Sequence, residues 1–316
     1  NSYTKNIFQE INIGHLTMFQ PALPNSFRAA LIMIAASSLV GMTTIIAKML
    51  GQHFEGESLH PLQVSAGRFG FALLTLLIVL IIKRYKFEKP NYLIHFSRSF
   101  FGWMGVTAMF AAVTLIPVSD AISISFLNPV FAMILAFFIL KESVSPLRWL
   151  AAGISLGGSI ILLRPGLDSF QLASLIAFVA AVCFGIEVIL IKKLTGMEAP
   201  LQILSINNSI GFVISITAAS FVWTDPSERQ WAELCALGVI MVTAQSLFIQ
   251  ALRRSDASYV LPFSYLTLVF ATFYDIWIFK SQPDWISALG ACTIVSGALI
   301  LGMKEFYEAK ALKFKI

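Results

Sequence analysis

Apolar residues along this chain fall in long unbroken blocks, and polar residues are confined to the short gaps between them. Ten such blocks can be read, at about 28–50, 62–82, 99–116, 119–140, 147–163, 170–191, 201–223, 231–252, 257–279 and 285–303. Each reaches or approaches the roughly 20 residues that a helix needs to cross a bilayer core. Lipid offers the backbone no hydrogen-bond partners, so such blocks cross as helices. A membrane β-barrel would alternate apolar and polar positions along every strand, and these blocks do not. Pro129 falls inside the fourth block and Pro262 inside the ninth; at Pro129 the missing N–H removes one helical hydrogen bond. The predicted fold class is all-α integral membrane, with ten transmembrane helices.

Composition narrows this further. The 316 residues are 57% apolar and only 12% charged, with a mean hydropathy of +0.80. A soluble domain carries roughly 25% charged residues. The net charge of +5 would suit a nucleic-acid partner if the basic residues formed one patch. Instead they gather in alternate gaps, at Lys83, Arg84, Lys86, Lys89 and Arg98, then Lys141 and Arg148, Lys192 and Lys193, and Arg253 and Arg254. The intervening gaps hold only Arg164, Arg229 and Lys280. Excess Lys and Arg marks the cytoplasmic side of a membrane protein. Both termini are therefore expected in the cytoplasm, as a tail over 1–27 and a basic tail over 304–316. The lipid bilayer is the expected partner, in the inner (cytoplasmic) membrane, and nucleic acid is not.

The chain also repeats itself. Gly102, Val106-Thr107-Ala108 and Ser119-Asp120-Ala121 recur as Gly238, Val242-Thr243-Ala244 and Ser255-Asp256-Ala257, each 136 positions later. Val130-Phe131-Ala132, Lys141 and Gly158 recur 139 positions later as Val269-Phe270-Ala271, Lys280 and Gly297. Gly41 and Lys48 pair with Gly185 and Lys192 at 144. The repeated units are 28–163 and 170–303. Five spans is an odd number, so the second unit enters from the other side, as an inverted repeat. Two such units can exchange conformations around a midplane site, which is the logic of alternating-access transport.

The stretch Pro117-Val-Ser-Asp-Ala-Ile-Ser-Ile-Ser-Phe-Leu-Asn-Pro-Val-Phe-Ala132, followed by Lys141-Glu142 and the glycine-rich fifth span, resembles the EamA-type transporters of the drug/metabolite transporter superfamily. The resemblance covers about 28–303. In the second unit Leu268 stands where the family has Pro, and Ser281 where Glu closes the span. Arg68-Phe69 and Leu261-Pro-Phe-Ser-Tyr-Leu-Thr-Leu-Val269 are similar to the S-adenosylmethionine uptake group. The resemblance implies a secondary transporter of small organic metabolites, S-adenosylmethionine or an amino-acid-like solute. An amino acid or drug exporter of the same fold is the alternative within the family.

Ionisable groups inside spans cost about 2.5–3.5 kcal/mol on insertion scales, so each needs a reason. Arg68, in the second span, has the planar fork that suits a carboxylate or phosphate; snorkelling to the interface is its bland alternative. Glu187, in the sixth, is a candidate for a cationic substrate group or a coupling proton, and equally for an ion pair with a nearby lysine. Asp275 lies near the far end of the ninth. Asp120 and Asp256 open matched spans, where helix N-capping explains both. Asn128 beside Pro129 is placed to line a cavity or only to kink the helix. Gln245 sits mid-span in the eighth. Trp103, Phe126, Phe184 and Tyr265 fall on spans that line the cavity in related transporters, and their rings suit a planar or cationic substrate, although packing serves each as well. Together Arg68, Trp103, Phe126, Asn128, Phe184, Glu187, Gln245, Tyr265 and Asp275 form the candidate substrate site.

Other classes have less support. His15, His53, His60 and His95 lie in tails or gaps and form no zinc-protease spacing, so neither a metal nor an enzyme site is expected. No Walker A sequence supports ATP-driven transport, and no cofactor is implied. A channel would need filter loops; a non-transporting receptor or assembly subunit has nothing positive in its favour. The ten spans can enclose a pathway within one monomer, and a homodimer stays open.

Overall fold

The computed structural model describes residues 23–51, 58–113, 115–116, 118–165, 174–280, 282 and 284–313. The tail through residue 22, His53 and Ser281 lie outside them. Ten helical spans run in chain order: α1 (Leu23–Gly51), α2 (Pro61–Ile82), α3 (Tyr92–Val113), α4 (Val118–Ser125 and Asn128–Leu135, ending in a π turn at Ala136–Leu140) and α5 (Pro146–Leu163). Then follow α6 (Ser174–Thr195), α7 (Pro200–Ala219), α8 (Glu228–Arg254), α9 (Ala257–Val260, a 3-10 turn at Leu261–Tyr265, and Leu266–Phe279) and α10 (Trp285–Lys313). Among the described residues no strand occurs, and nine of these spans are long and apolar enough to cross a membrane. The tenth is α3, whose first turns carry His95, Ser97, Arg98 and Ser99.

The two breaks have a local cause. Pro129 stands at the start of the second piece of α4, where a missing N–H leaves no intrahelical bond unmade. Pro262 does the same for the 3-10 turn of α9. Both helices then stop at a lysine in left-handed backbone, Lys141 at φ 56° and Lys280 at φ 55°.

Helix α1 packs along α8 and α9, while α6 packs along α3 and α4; α2 lies on α7, and α5 on α10. Small residues permit the closest crossings, as they do in membrane interiors generally. A Cβ on Gly41 would come within 2.9 Å of the Ala271 amide nitrogen, and one on Gly185 within 2.9 Å of Phe131 Cβ and 3.2 Å of the Ala132 nitrogen.

Contacts between gaps define two ends. At the basic end, Glu142 meets the start of α9, Arg148 meets Asp256 at 3.0 Å, and the Lys192 amine donates to the Leu252 and Ser255 carbonyls. At the opposite end, the Gln63 side chain bonds Thr224, and Lys48 bonds Asp275. Asp256 takes the N-cap position of α9 but makes no capping hydrogen bond. Its carboxylate faces Arg148, and Glu142 from the preceding half accepts the Ala257 and Ser258 N–H groups instead. The N-cap expectation for Asp256 is thus corrected: a carboxylate from the loop between α4 and α5 takes the duty. Asp120 lies buried in the first turn of α4.

Candidate functional site

Helix α3 begins at Tyr92 rather than at 99, which moves Arg98 from a gap into the second turn of a helix. There it is 3% exposed, and its Nε lies 3.7 Å from Glu187 Oε1 on α6. Its Nε and Nη1 make no hydrogen bond within the protein. Arg68 of α2 acts electrostatically on the same carboxylate. Arg98 and Glu187 therefore face each other inside the bundle, and Arg68, beyond ion-pair distance, brings a second guanidinium into the field of the same carboxylate. Buried charges persist where they are paired, and they mark function more often than structure.

Local sequence makes room for this cluster. Gly102 and Gly105 stand three apart on α3, and Glu187 and Phe184 stand three apart on α6. A Cβ on Gly102 would lie 3.1 Å from the Glu187 carboxyl carbon, and one on Gly105 would lie 2.8 Å from the Phe184 ring. Residues three apart share a helix face, so the two antiparallel faces interlock, glycine against side chain. Arg68 also lies 4.0 Å from the Phe69 ring centroid. A stacked guanidinium of this kind keeps its fork free for a partner.

The remaining candidates divide by place. Gln245 is half-buried, and its Oε1 accepts from Asn208 Nδ2 at 3.3 Å, linking α7 and α8. Tyr265 is fully buried; its hydroxyl donates to the Phe126 carbonyl at 2.8 Å, and the two rings sit 5.9 Å apart. This pair braces the α4 break against the α9 turn. Asn128 donates to the Ser125 carbonyl, satisfying the backbone at that same break. Trp103 is 51% exposed and lines a shallow apolar groove between α3 and α7, turned away from Glu187. Asp275 is held by Lys48 at 2.6 Å, near the opposite end. The structure thus brings Arg68, Phe184 and Glu187 together, adds Arg98, and sets Trp103, Tyr265, Phe126 and Asp275 to other places. The signal that could have found Arg98 was its company. Ser97-Arg98-Ser99 sits four residues before Gly102, whose missing side chain admits the carboxylate.

Among the described residues no three His, Cys, Asp or Glu side chains gather as a metal site. Comparison with known proteins supplies the rest. The chain is 28% identical over 279 residues to the S-adenosylmethionine uptake transporter of Rickettsia bellii (strain RML369-C), covering 88% of this chain and 95% of that protein. It is 28% identical over 215 residues to the riboflavin transporter of Rhizobium johnstonii (strain DSM 114642 / LMG 32736 / 3841), covering 67% of this chain and 70% of that one. One crystal structure, at 18% identity, superposes with a TM-score of 0.73 over 87% of this chain and 98% of its own, which speaks for the fold alone. These relatives are transporters and not enzymes. Residues 27–164 and 171–303 each match the EamA-like transporter family, and the chain belongs to that family.

Proposed function

We propose that this protein is a secondary transporter that carries a small organic metabolite across the inner membrane by alternating access. Its two five-helix units are read as an inverted repeat, with both termini in the cytoplasm. The pairing of α1 with α8 and α9, matched by that of α6 with α3 and α4, supports the repeat. So do the equivalent crossings at Gly41 and Gly185. The basic end is the cytoplasmic one on the Lys/Arg distribution.

The observation that carries the reading is the convergence of Arg68, Arg98 and Glu187 inside the bundle. A substrate bearing both a carboxylate and a cationic centre complements it: the carboxylate toward the open donors of Arg98 and the stacked Arg68, the cation toward Glu187. Phe184, one turn from Glu187, offers a ring face to a planar or cationic group. S-adenosylmethionine has that pattern of groups, and several relatives carry its name. Gln245, bonded to Asn208 between α7 and α8, is the uncharged polar group assigned to the site in this reading. In this reading Glu187 also serves as the group through which a proton would couple.

Counterflow in proteoliposomes tests this. Vesicles loaded with S-adenosylmethionine are expected to accumulate labelled S-adenosylmethionine saturably. Arg98→Ala and Glu187→Gln should each lower that uptake at least tenfold, while Arg98→Lys retains part of it. Thermal unfolding of each variant separates a lost site from a lost fold. Unchanged uptake in both variants would sink the site assignment. Exchange of riboflavin but not of S-adenosylmethionine would overturn the substrate class. Flux without counterflow would overturn alternating access.

A further inference from the structure

A cavity of about 950 Å³ opens at the basic end between α2, α7 and α8. It is separate from the charged cluster. Along α2 it begins at Thr75, seven residues past Arg68, or about 10 Å of helix rise. Its walls are mainly apolar, with Leu76 and Val79 of α2, Leu204 of α7 and Val242 of α8, and are interrupted by Thr75 of α2 and by Thr243, Ser246 and Gln250 of α8. Its mouth is basic, with Lys83 just past the end of α2 and Arg253 and Arg254 closing α8. Arg254 bonds only Gln250, one turn back on its own helix. Among the described residues no carboxylate lies within ion-pair distance of any of these three cations.

Of the two nearby acids, Glu198 is otherwise engaged, and Glu88 lies beyond ion-pair distance of the three cations. Glu198, which faces Tyr85 at the cavity edge together with Glu88, accepts from the Asn91 N–H and Gln202 and pairs with His95. It has little capacity left to neutralise the mouth. Three cations without anions, set over a mainly apolar chamber at the level where helices leave the membrane, describe the complement of an anionic amphiphile. Basic pockets between helices on the cytoplasmic side bind anionic headgroups for this reason.

We infer that this cavity is a binding site for an anionic phospholipid, with the phosphate at Lys83, Arg253 and Arg254 and an acyl chain against the walls between α2 and α8. Its occupant bridges two helices that belong to different repeat units, so lipid composition would bias the bundle without touching the substrate site.

The test measures thermal stability of the full chain in neutral detergent, with phosphatidylglycerol, phosphatidylcholine or inorganic phosphate added. A ligand that binds only the folded protein raises its stability as it saturates. Phosphatidylglycerol is expected to raise Tm by several degrees more than phosphatidylcholine. The exposed double variant Lys83→Gln/Arg253→Gln should lose at least half of that excess while unfolding at an unchanged temperature without lipid. An equal rise with inorganic phosphate alone would overturn a lipid in favour of a soluble anion. Equal rises with the two lipids, or an undiminished excess in the variant, would overturn the site altogether. None of these readouts depends on which substrate is transported.

Discussion

The two ends of this bundle are closed by different chemistry. At the basic end two carboxylates each serve three partners. Glu142 accepts from the Ala257 and Ser258 N–H groups and from the Ser258 hydroxyl at 2.8–3.0 Å. Glu198 accepts from the Asn91 N–H and Gln202 and pairs with His95, at 2.7–2.9 Å. Lys192 adds two bonds to carbonyls that end α8. The opposite end has one sheltered junction, the buried Gln63 with Thr224, and otherwise holds ion pairs in reach of water. Lys48 with Asp275 is one, at 40% and 27% side-chain exposure, and Arg164 with Asp284 is another, at 43% and 45%. Exposed pairs contribute about 0–1 kcal/mol, because water replaces either partner at little cost. Hydrogen bonds to a charged group in a sheltered place contribute roughly 1.5–3 kcal/mol. Helix α9 thus meets a firmer closure at its start, through Glu142, than at its far end, through Asp275 and Lys48. On the alternating-access reading proposed above, the looser end is expected to open at lower cost.

The sharpest way to break this contrast is Glu142→Gln. The neutral amide keeps one acceptor but loses the charge that holds the start of α9 and faces Lys192. A loss of about 2 kcal/mol is expected, seen as a Tm lower by several degrees. Labelling of a cysteine introduced at the basic end should rise with it. A Glu142→Gln protein as stable and as closed as the parent would remove the argument. Asp275→Asn probes the other closure and should cost about 1 kcal/mol or less. The matched substitutions therefore differ in size although both remove one carboxylate from an interhelical bond.

Acid should loosen the basic end in a defined window. Burial alone would raise the Glu198 carboxyl, but the Asn91 N–H, His95 and Gln202 together hold it below its ordinary value. A depressed carboxyl contributes stability that is present above the unfolded value of about 4.3 and lost as pH falls through the lower, folded one. Tm is therefore expected to fall more steeply below about pH 4.3 in the parent than in Glu198→Gln. Parallel slopes would mean that this carboxylate does not support the junction.

Much of this architecture was readable in one dimension. The ten spans, the break beside Asn128-Pro129 and the ends of the fourth and ninth blocks follow from hydrophobic runs and proline chemistry, whereas the 3-10 turn at Pro262 is a finding of the structure. What escaped depends on partners far along the chain. Arg98 and His95 read as gap residues because a hydropathy window sees only their cost. Their compensation comes from Glu187 and Glu198, and pairing lets α3 extend back to Tyr92. Trp103 read as a ring on a cavity-lining span, yet its neighbour Gly102 faces Glu187 while Trp103 lies 51% exposed in the groove between α3 and α7. Tyr265 read as a stacking ring, but its hydroxyl found the carbonyl that the α4 break had freed.

The smallest expected effect belongs to Asp284. Hydrogen bonds from Arg164 and Ser287 hold its carboxyl well below the usual carboxylate range, and the group is fully exposed. Exposure decides the outcome here. Screening by salt and replacement by water cancel most of what the geometry offers, so Asp284→Asn should leave Tm within measurement error at physiological ionic strength. A difference should emerge only when salt is reduced, since the Debye length grows from about 8 Å at 0.15 M to about 30 Å at 0.01 M. If Asp284→Asn destabilised the protein as much as Glu142→Gln at physiological salt, the opposite end would be as firmly closed as the basic one. The ordering of the two gates would then have to be reversed or abandoned.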